Sequence, residues 1–333
     1  MKYKYLIIVF TVLLSVPGFA KIVKRGQTGF RFLDNPVSAE AIGRGGLGLT
    51  LFNNSNTVFW NPSGLAWQIS KFDFNANYTS GIADINYSSF AGSVAFDRFG
   101  VLALDFLTMD YGEFQGTQYA DNEQGYIKTE LFQPSSYAIG FSYSQKVNNR
   151  FSYGIRIKYA YQDLGSVWTG SILAGDTTIS LTKYNHGEPA IDVGTTYDFL
   201  NHGIRFGAVI QNFSREIKYE VEKFPMPYSV SFSLSLDPLS ILAINNKNHH
   251  LIIGFESSHP RDYLEKIKLG TEYTFQKILI LRTGYMGNYD ERGLTFGIGV
   301  RQVLIGTNMR IDYAYQDFGV FNGVHTFSIG VSY

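Results

Sequence analysis

Apolar and polar side chains alternate along most of this chain with a period of two, the spacing of residues that share one face of a β-strand. The pattern is cleanest from Phe151 to Gln162. There Phe151, Tyr153, Ile155, Ile157, Tyr159 and Tyr161 fall on one side, and Ser152, Gly154, Arg156, Lys158, Ala160 and Gln162 on the other. Tyr228 to Leu236 repeats it with a serine at every polar position, and Leu294, Phe296, Ile298 and Val300 interleave with Thr295, Gly297, Gly299 and Arg301. From Phe72 onward this periodicity predicts fourteen strands, near 72–79, 84–96, 100–109, 135–146, 151–162, 189–199, 203–212, 228–236, 250–257, 266–275, 278–286, 294–302, 308–316 and 325–333.

The connections alternate in length. Tight links at 97–99, 147–150, 200–202, 276–277 and 303–307 take turns with long loops at 110–134, 163–189, 213–227 and 317–324, and the link 237–249 is a long exception on the short side. This asymmetry predicts a transmembrane antiparallel β-barrel of about 14 strands over 72–333, with short periplasmic turns and long extracellular loops. A soluble β-sandwich alternates as well, but its outer face is dressed for bulk water. Here the polar faces are rich in Gly and Ser with isolated charges, which suits a crowded, partly wet interior. The 23 Tyr and 27 Phe suit the aromatic girdles of a membrane wall.

The first residues read differently. Lys2 and Lys4, an apolar run from Tyr5 to Val16 and the small residues of Gly18-Phe19-Ala20 predict a secretory signal peptide over 1–20, cleaved after Ala20. The run is shorter than the ~20 residues of a spanning helix. Cleavage removes two of the 28 basic residues and leaves the 28 acidic ones, so the mature chain is near neutral and no nucleic-acid partner is implied. Mean hydropathy is −0.05, a value that hides a barrel because averaging over both strand faces cancels the apolar one. With no cysteine, neither disulfides nor a lipidated Cys hold this exported chain.

Residues 21–71 break the alternation. Gly43, Gly45, Gly46 and Gly48 cluster there, followed by Asn53 to Asn56 and by Trp60-Asn61-Pro62-Ser63-Gly64-Leu65-Ala66-Trp67. Such a stretch predicts a compact, turn-rich element with Trp60 and Trp67 as packing anchors. The chain ends on Phe327, Ile329, Val331 and Tyr333, one apolar face finishing on an aromatic residue. This resembles the C-terminal signal read by the outer-membrane barrel-assembly machinery.

Charges expected to face the lumen are Arg156, Lys158, Asp192, Arg205, Lys268, Glu272, Arg301, Arg310 and Asp312. Both signs are interspersed, which favours mutual pairing over a solute path. His186, His202, His249, His250, His259 and His325 fall in predicted loops or at strand ends with no metal-ligand spacing. Gly43 to Gly48 lacks the strand, Lys-Ser pair and helix of a phosphate loop. No catalytic set, metal or cofactor is implied, and an enzyme is not expected.

Several blocks resemble the PorV/PorQ family of outer-membrane proteins, relatives of the FadL-type channels. They are Gly29-Phe30-Arg31-Phe32-Leu33, Pro36-Val37-Ser38-Ala39, Gly45-Gly46 and Phe59 to Ala66, then Ala138 to Tyr143, Arg150 to Gly154, Asp192-Val193-Gly194, Gln211-Asn212-Phe213, Arg282 to Tyr285, Gly293 to Gly297, and Asp312 to Tyr315 through to Ser328. Glu40 and Arg44 stand where members often carry Arg and Met. The resemblance implies a fourteen-stranded barrel in the bacterial outer membrane whose residues 21–71 fold into the lumen as a hatch, with Gly45, Gly46, Trp60, Asn61, Pro62, Gly64 and Leu65 as its motif. It also implies a role in protein secretion or surface attachment of the type IX kind, with secretion-machinery proteins or exported cargo as partners. The alternative reading is a FadL-like channel for hydrophobic small molecules; a purely structural barrel is a third.

Overall fold

The computed structural model describes residues 26–333 except 52, 121, 170, 171, 174, 175, 178, 179, 200–202, 220 and 243–247. The signal peptide expected at 1–20 and His202 lie outside the described residues. Fourteen antiparallel strands close into a barrel in simple sequence order. They are β1 (Phe72–Ser80), β2 (Asn86–Phe96), β3 (Gly100–Asp110), β4 (Ser135–Lys146), β5 (Phe151–Thr169), β6 (Ser180–Asp198), β7 (Ile204–Phe213), β8 (Ser229–Leu236), β9 (His249–Pro260), β10 (Lys266–Phe275), β11 (Leu279–Gly287), β12 (Leu294–Leu304), β13 (Thr307–Asp317) and β14 (Gly323–Ser332). The last strand pairs with the first from Asp73↔Ser332 to Ser80↔His325, so no edge is left open to recruit another chain.

The period of two decides which side chains meet lipid. In β5 the burial alternates residue by residue: Arg156 is 3% exposed and Ile157 52%. Phe74, Phe90, Leu104, Ile139, Phe232, Leu269, Phe296 and Ile329 are likewise exposed around the outer surface. Such an outward apolar band is the hallmark of a membrane barrel, and no helix among the described residues is long and apolar enough to cross a membrane.

Two predicted loops contain more strand than expected. The stretch 163–189 continues β5 and β6 as a hairpin, with Thr169 opposite Ser180 and one register shift between Lys183 and Asn185. Pro189 reads as a loop boundary in sequence, yet it sits inside β6 opposite Tyr159. On its other side β6 pairs with β7 only from Ile191, so Pro189 occupies an edge, where a missing N–H is tolerated. His186 therefore lies in a strand rather than a loop, as does His259. The connection 110–134 holds its own hairpin, Phe114–Tyr119 paired with Tyr126–Phe132. In the link 237–249, Asp237 caps a short helix, Pro238–Ile241.

Residues 26–71 do not join the wall. They enter among the long connections, where Gly29 N–H donates to Pro225 O at 3.1 Å, and leave into β1 beside the chain end, where Phe72 and Tyr333 exchange two backbone bonds. Between these points lie short turns and the one-turn helix α1 (Ala39–Ile42), capped by Ser38.

Candidate functional site

Irregular backbone inside a wall needs partners for its N–H and C=O groups, and the inward side chains of the strands supply them. Ala39 N–H donates to Ser328 Oγ (2.8 Å), Gly45 N–H to Thr295 Oγ1 (2.9 Å), and Ser55 N–H to Asp73 Oδ1 (2.7 Å). The N–H groups of Gly48 and Leu49 share Glu256 Oε2, and Lys268 Nζ donates to Gly46 O at 3.2 Å. Near the short-turn end, Ser144 and Ser152 hydroxyls donate to Ser63 O, and Trp67 Nε1 donates to Ser152 Oγ at 2.9 Å.

Asn61 ties the most groups together. Its amide nitrogen donates to Leu49 O, Thr195 O and Thr196 Oγ1 at 3.1–3.2 Å, while its oxygen accepts from Ser63 N–H and Ser63 Oγ. Pro62 starts the following turn, in which Gly64 and Leu65 are buried. Gly45 and Gly46 adopt positive φ (+71° and +75°), conformations that favour glycine. The wall answers with glycines of its own: a Cβ at Gly284 would fall on Gly45 N and Arg44 C, and one at Gly270 on Arg44 O. Trp60 packs with Ala41 and Leu51 under the Lys268 ammonium, 5.3 Å from its ring.

The expected lumenal charges all turn inward and pair. Arg156 bridges Asp105 and Asp192, and Lys158 reaches Asp192 at 2.8 Å. Across the lumen Arg282 holds Glu272 and Asp312 at 2.7 Å each, with Arg301 on Asp312 at 2.9 Å and Arg44 3.7 Å from Glu272. Lys268 pairs with Glu256, and Arg310 with Asp73, both at 2.6 Å. Arg205, at the short-turn mouth, takes Asp198 at 3.0 Å. Asp73, Asp105, Glu256, Arg282 and Arg44 were missed as partners. The inward parity of Asp105 beside Val101, Ala103 and Leu107 was the available signal, but both faces of β3 are apolar.

One compartment differs from this charged interior. Below the long connections, Phe30, Phe32 and Val37 pack against Leu107, Met109, Ala138, Ala160, Ala190, Ile217 and Met226, all buried. Small alanines on three adjacent strands leave the room that the two phenylalanines occupy. Over it lies the turn containing Tyr219, stacked on Phe224 and edge-on to His186. Burial pushes the Tyr219 phenol up to about 12, so it stays a neutral hydrogen-bonding group. Phe327, Ile329, Val331 and Tyr333 point outward along the closing seam, away from this interior.

Solved structures carry the same architecture. The chain is similar to the Pseudomonas putida toluene transporter TodX (TM-score 0.58, 10% identity, covering 89% of this chain and 96% of that one). It is similar also to the Ralstonia pickettii toluene transporter TbuX (0.56, 14%, 92% and 98%) and to a Pseudomonas aeruginosa FadL homologue (0.54, 13%, 90% and 98%). At these identities the likeness establishes the fold, a closed fourteen-stranded barrel of FadL type. No protein-family model and no curated protein matches the chain. The closed wall, its apolar band and this fold make the chain a bacterial outer-membrane β-barrel.

Proposed function

We propose that the protein is an outer-membrane channel for hydrophobic small molecules, with residues 26–71 as the hatch and the long connections facing outward. The observation that carries this reading is the apolar compartment filled by Phe30 and Phe32. Phe30 and Phe32 occupy an apolar compartment inside a lumen lined by ion pairs, and ligand sites are typically concave and apolar. The fold shared with the toluene transporters supports it. Residues 39–63 are bonded across the lumen to the wall, and on this reading passage requires the segment around Phe30 and Phe32 to move. Cells lacking the gene should take up labelled toluene several-fold more slowly than complemented cells; equal uptake would sink the reading.

A second reading, protein export or surface attachment of the PorV/PorQ kind, is favoured by one feature. The hairpin 114–132 and the extended ends of β5 and β6 expose Tyr119, Leu131, Val167 and Leu181 beyond the wall, and exposed apolar clusters mark interaction sites. Affinity purification from native membranes should then recover secretion-machinery proteins or cargo, and recovery of neither would exclude it.

A further inference from the structure

On the lipid-facing side of the wall, where β14, β1, β2, β3 and β4 lie side by side, the outer surface carries a depression of about 930 Å³. Ala76 and Gly92 lie at its floor, and Phe74, Phe90, Leu104 and Phe141 stand around it, all four exposed. Phe74 leans over the glycine so closely that a Cβ there would lie 3.0 Å from its ring. The wall beneath is unbroken, since β2 and β3 pair without a register shift from Asn86↔Asp110 to Phe96↔Gly100. The depression is therefore a feature of the outer surface, floored by intact sheet.

Its height matches one leaflet. It runs along β2 from Phe96, at the short-turn end, to Phe90, six residues away. At ~3.3 Å per residue and a tilt of ~40° that is roughly 15 Å, half the hydrocarbon thickness of a bilayer. With the long connections outward this is the periplasmic leaflet, which in an outer membrane is built of glycerophospholipids.

The rim below it is positively charged. Ala95 N–H donates to Lys71 O at 2.9 Å and Gln145 Nε2 donates to Arg98 O at 3.3 Å, so both basic residues are held at the short-turn ends of strands that line the depression. Lys71 and Arg98 are exposed, as are Lys146 at the end of β4 and Arg150 in the turn that follows. Among the described residues none of the four has a carboxylate within 4.0 Å, and Lys146 lies instead over the Trp67 ring at 4.3 Å. Against them, on the described residues of this rim, stand Asp97 and the terminal carboxylate of Tyr333; Asp198 is held by Arg205 and Asp73 by Arg310. Unlike the lumen, where cations and acids pair, this rim has cations to spare.

We propose that the depression and the rim beneath it bind one anionic glycerophospholipid of the periplasmic leaflet, with its acyl chains laid over Ala76 and Gly92 and its phosphate on Arg98 and Lys71. Continuity with the apolar band selects acyl chains for the depression. The surplus of cations selects the sign of the head group, because basic residues clustered at a membrane surface gain from anionic lipid. The inference rests on the orientation with the long connections outward and is independent of the solute that the lumen takes.

Native mass spectrometry tests it, on the full-length barrel stripped of lipid in detergent and offered equimolar dioleoyl phosphatidylglycerol and dioleoyl phosphatidylethanolamine. Wild type should retain one phosphatidylglycerol in several-fold excess over phosphatidylethanolamine. Arg98→Gln combined with Lys71→Gln should bring the two lipids within about twofold of each other while lipid is still retained. Gly92→Phe and, separately, Ala76→Phe fill the floor and should lower retention of both lipids about tenfold, the effect of displacing roughly two methylenes, whereas Leu269→Phe on the outer face of β10 should leave retention unchanged. Equal retention of the two lipids by wild type, or undiminished retention in both floor variants, overturns the site. Lipopolysaccharide in place of phospholipid on the barrel as isolated from cells overturns it through the orientation and leaves the solute reading standing.

Discussion

At the scale of single residues the interior is governed by how closely two backbones approach. Gly284 on β11 has no room for a methyl group because Gly45 N and Arg44 C, which are backbone atoms unable to rotate away, already occupy its place. Gly287 on the same strand has only ordinary contacts, the nearest at 3.4 Å. Gly284→Ala should therefore destabilise by about 1–3 kcal/mol, the usual range for overpacking, and loosen residues 43–46, whereas Gly287→Ala should stay within about 0.5 kcal/mol. Thermal melts in detergent together with limited proteolysis of the N-terminal segment will show this. Equal melting and equal protection for the two variants would mean that the backbone of residues 43–46 does not lie against Gly284. The glycines at 45 and 46 were legible in the sequence as a turn-rich cluster. Their counterparts Gly270 and Gly284 were not, because a glycine at a polar position in a strand reads simply as part of the small face.

Among elements, strands were readable wherever the two faces differ in chemistry, as in β5, β8 and β12, and all fourteen were placed, β3 among them although both of its faces are apolar. Reading stopped where the alternation stops carrying information. Beyond Gln162 the β5–β6 hairpin leaves the lipid, so neither face needs to be apolar, and the pattern fades although pairing continues to Thr169 and Ser180. Pro189 added a false boundary for the reason already given, its position at an edge. This account predicts that Pro189→Val is nearly neutral, within about 0.5 kcal/mol, because no ladder bond depends on its nitrogen. A proline placed at Val193, where β6 is paired on both sides, should instead abolish or severely weaken folding. The heat-modifiable gel shift of folded barrels separates the two outcomes, and a severe defect in Pro189→Val would refute the edge assignment. The ion pairs were legible only by halves: Arg156, Lys158 and Asp192 stand out on a clean strand, while Asp105 hides on one that is apolar on both faces.

For the whole molecule, neighbouring residues on one strand report two different media. Ile157 faces outward and Arg156 inward, one residue apart. Ile157→Arg puts a charge in the hydrocarbon and should cost about 2–4 kcal/mol near the midplane of a bilayer. Arg156→Met inserts no charge into lipid but strips Asp105 of its ion pair and leaves Asp192 with Lys158 alone. Breaking a buried pair by removing one partner costs about 3–5 kcal/mol, so both substitutions are damaging on their own. They part in the rescue. Adding Asp105→Leu to Arg156→Met removes the stranded carboxylate and should recover much of the loss, since replacing a buried pair with apolar groups is often neutral. The same second substitution should not rescue Ile157→Arg, whose cost is set by lipid and not by the lumen, and should add a cost of its own by taking Asp105 away from Arg156. Urea unfolding of the four variants from liposomes and from detergent micelles completes the argument, because only the Ile157→Arg cost should depend on the surrounding apolar phase. Rescue of Ile157→Arg by Asp105→Leu, or failure to rescue Arg156→Met, would reverse the assignment of inside and outside on which the barrel and the lumenal placement of its N-terminal segment depend.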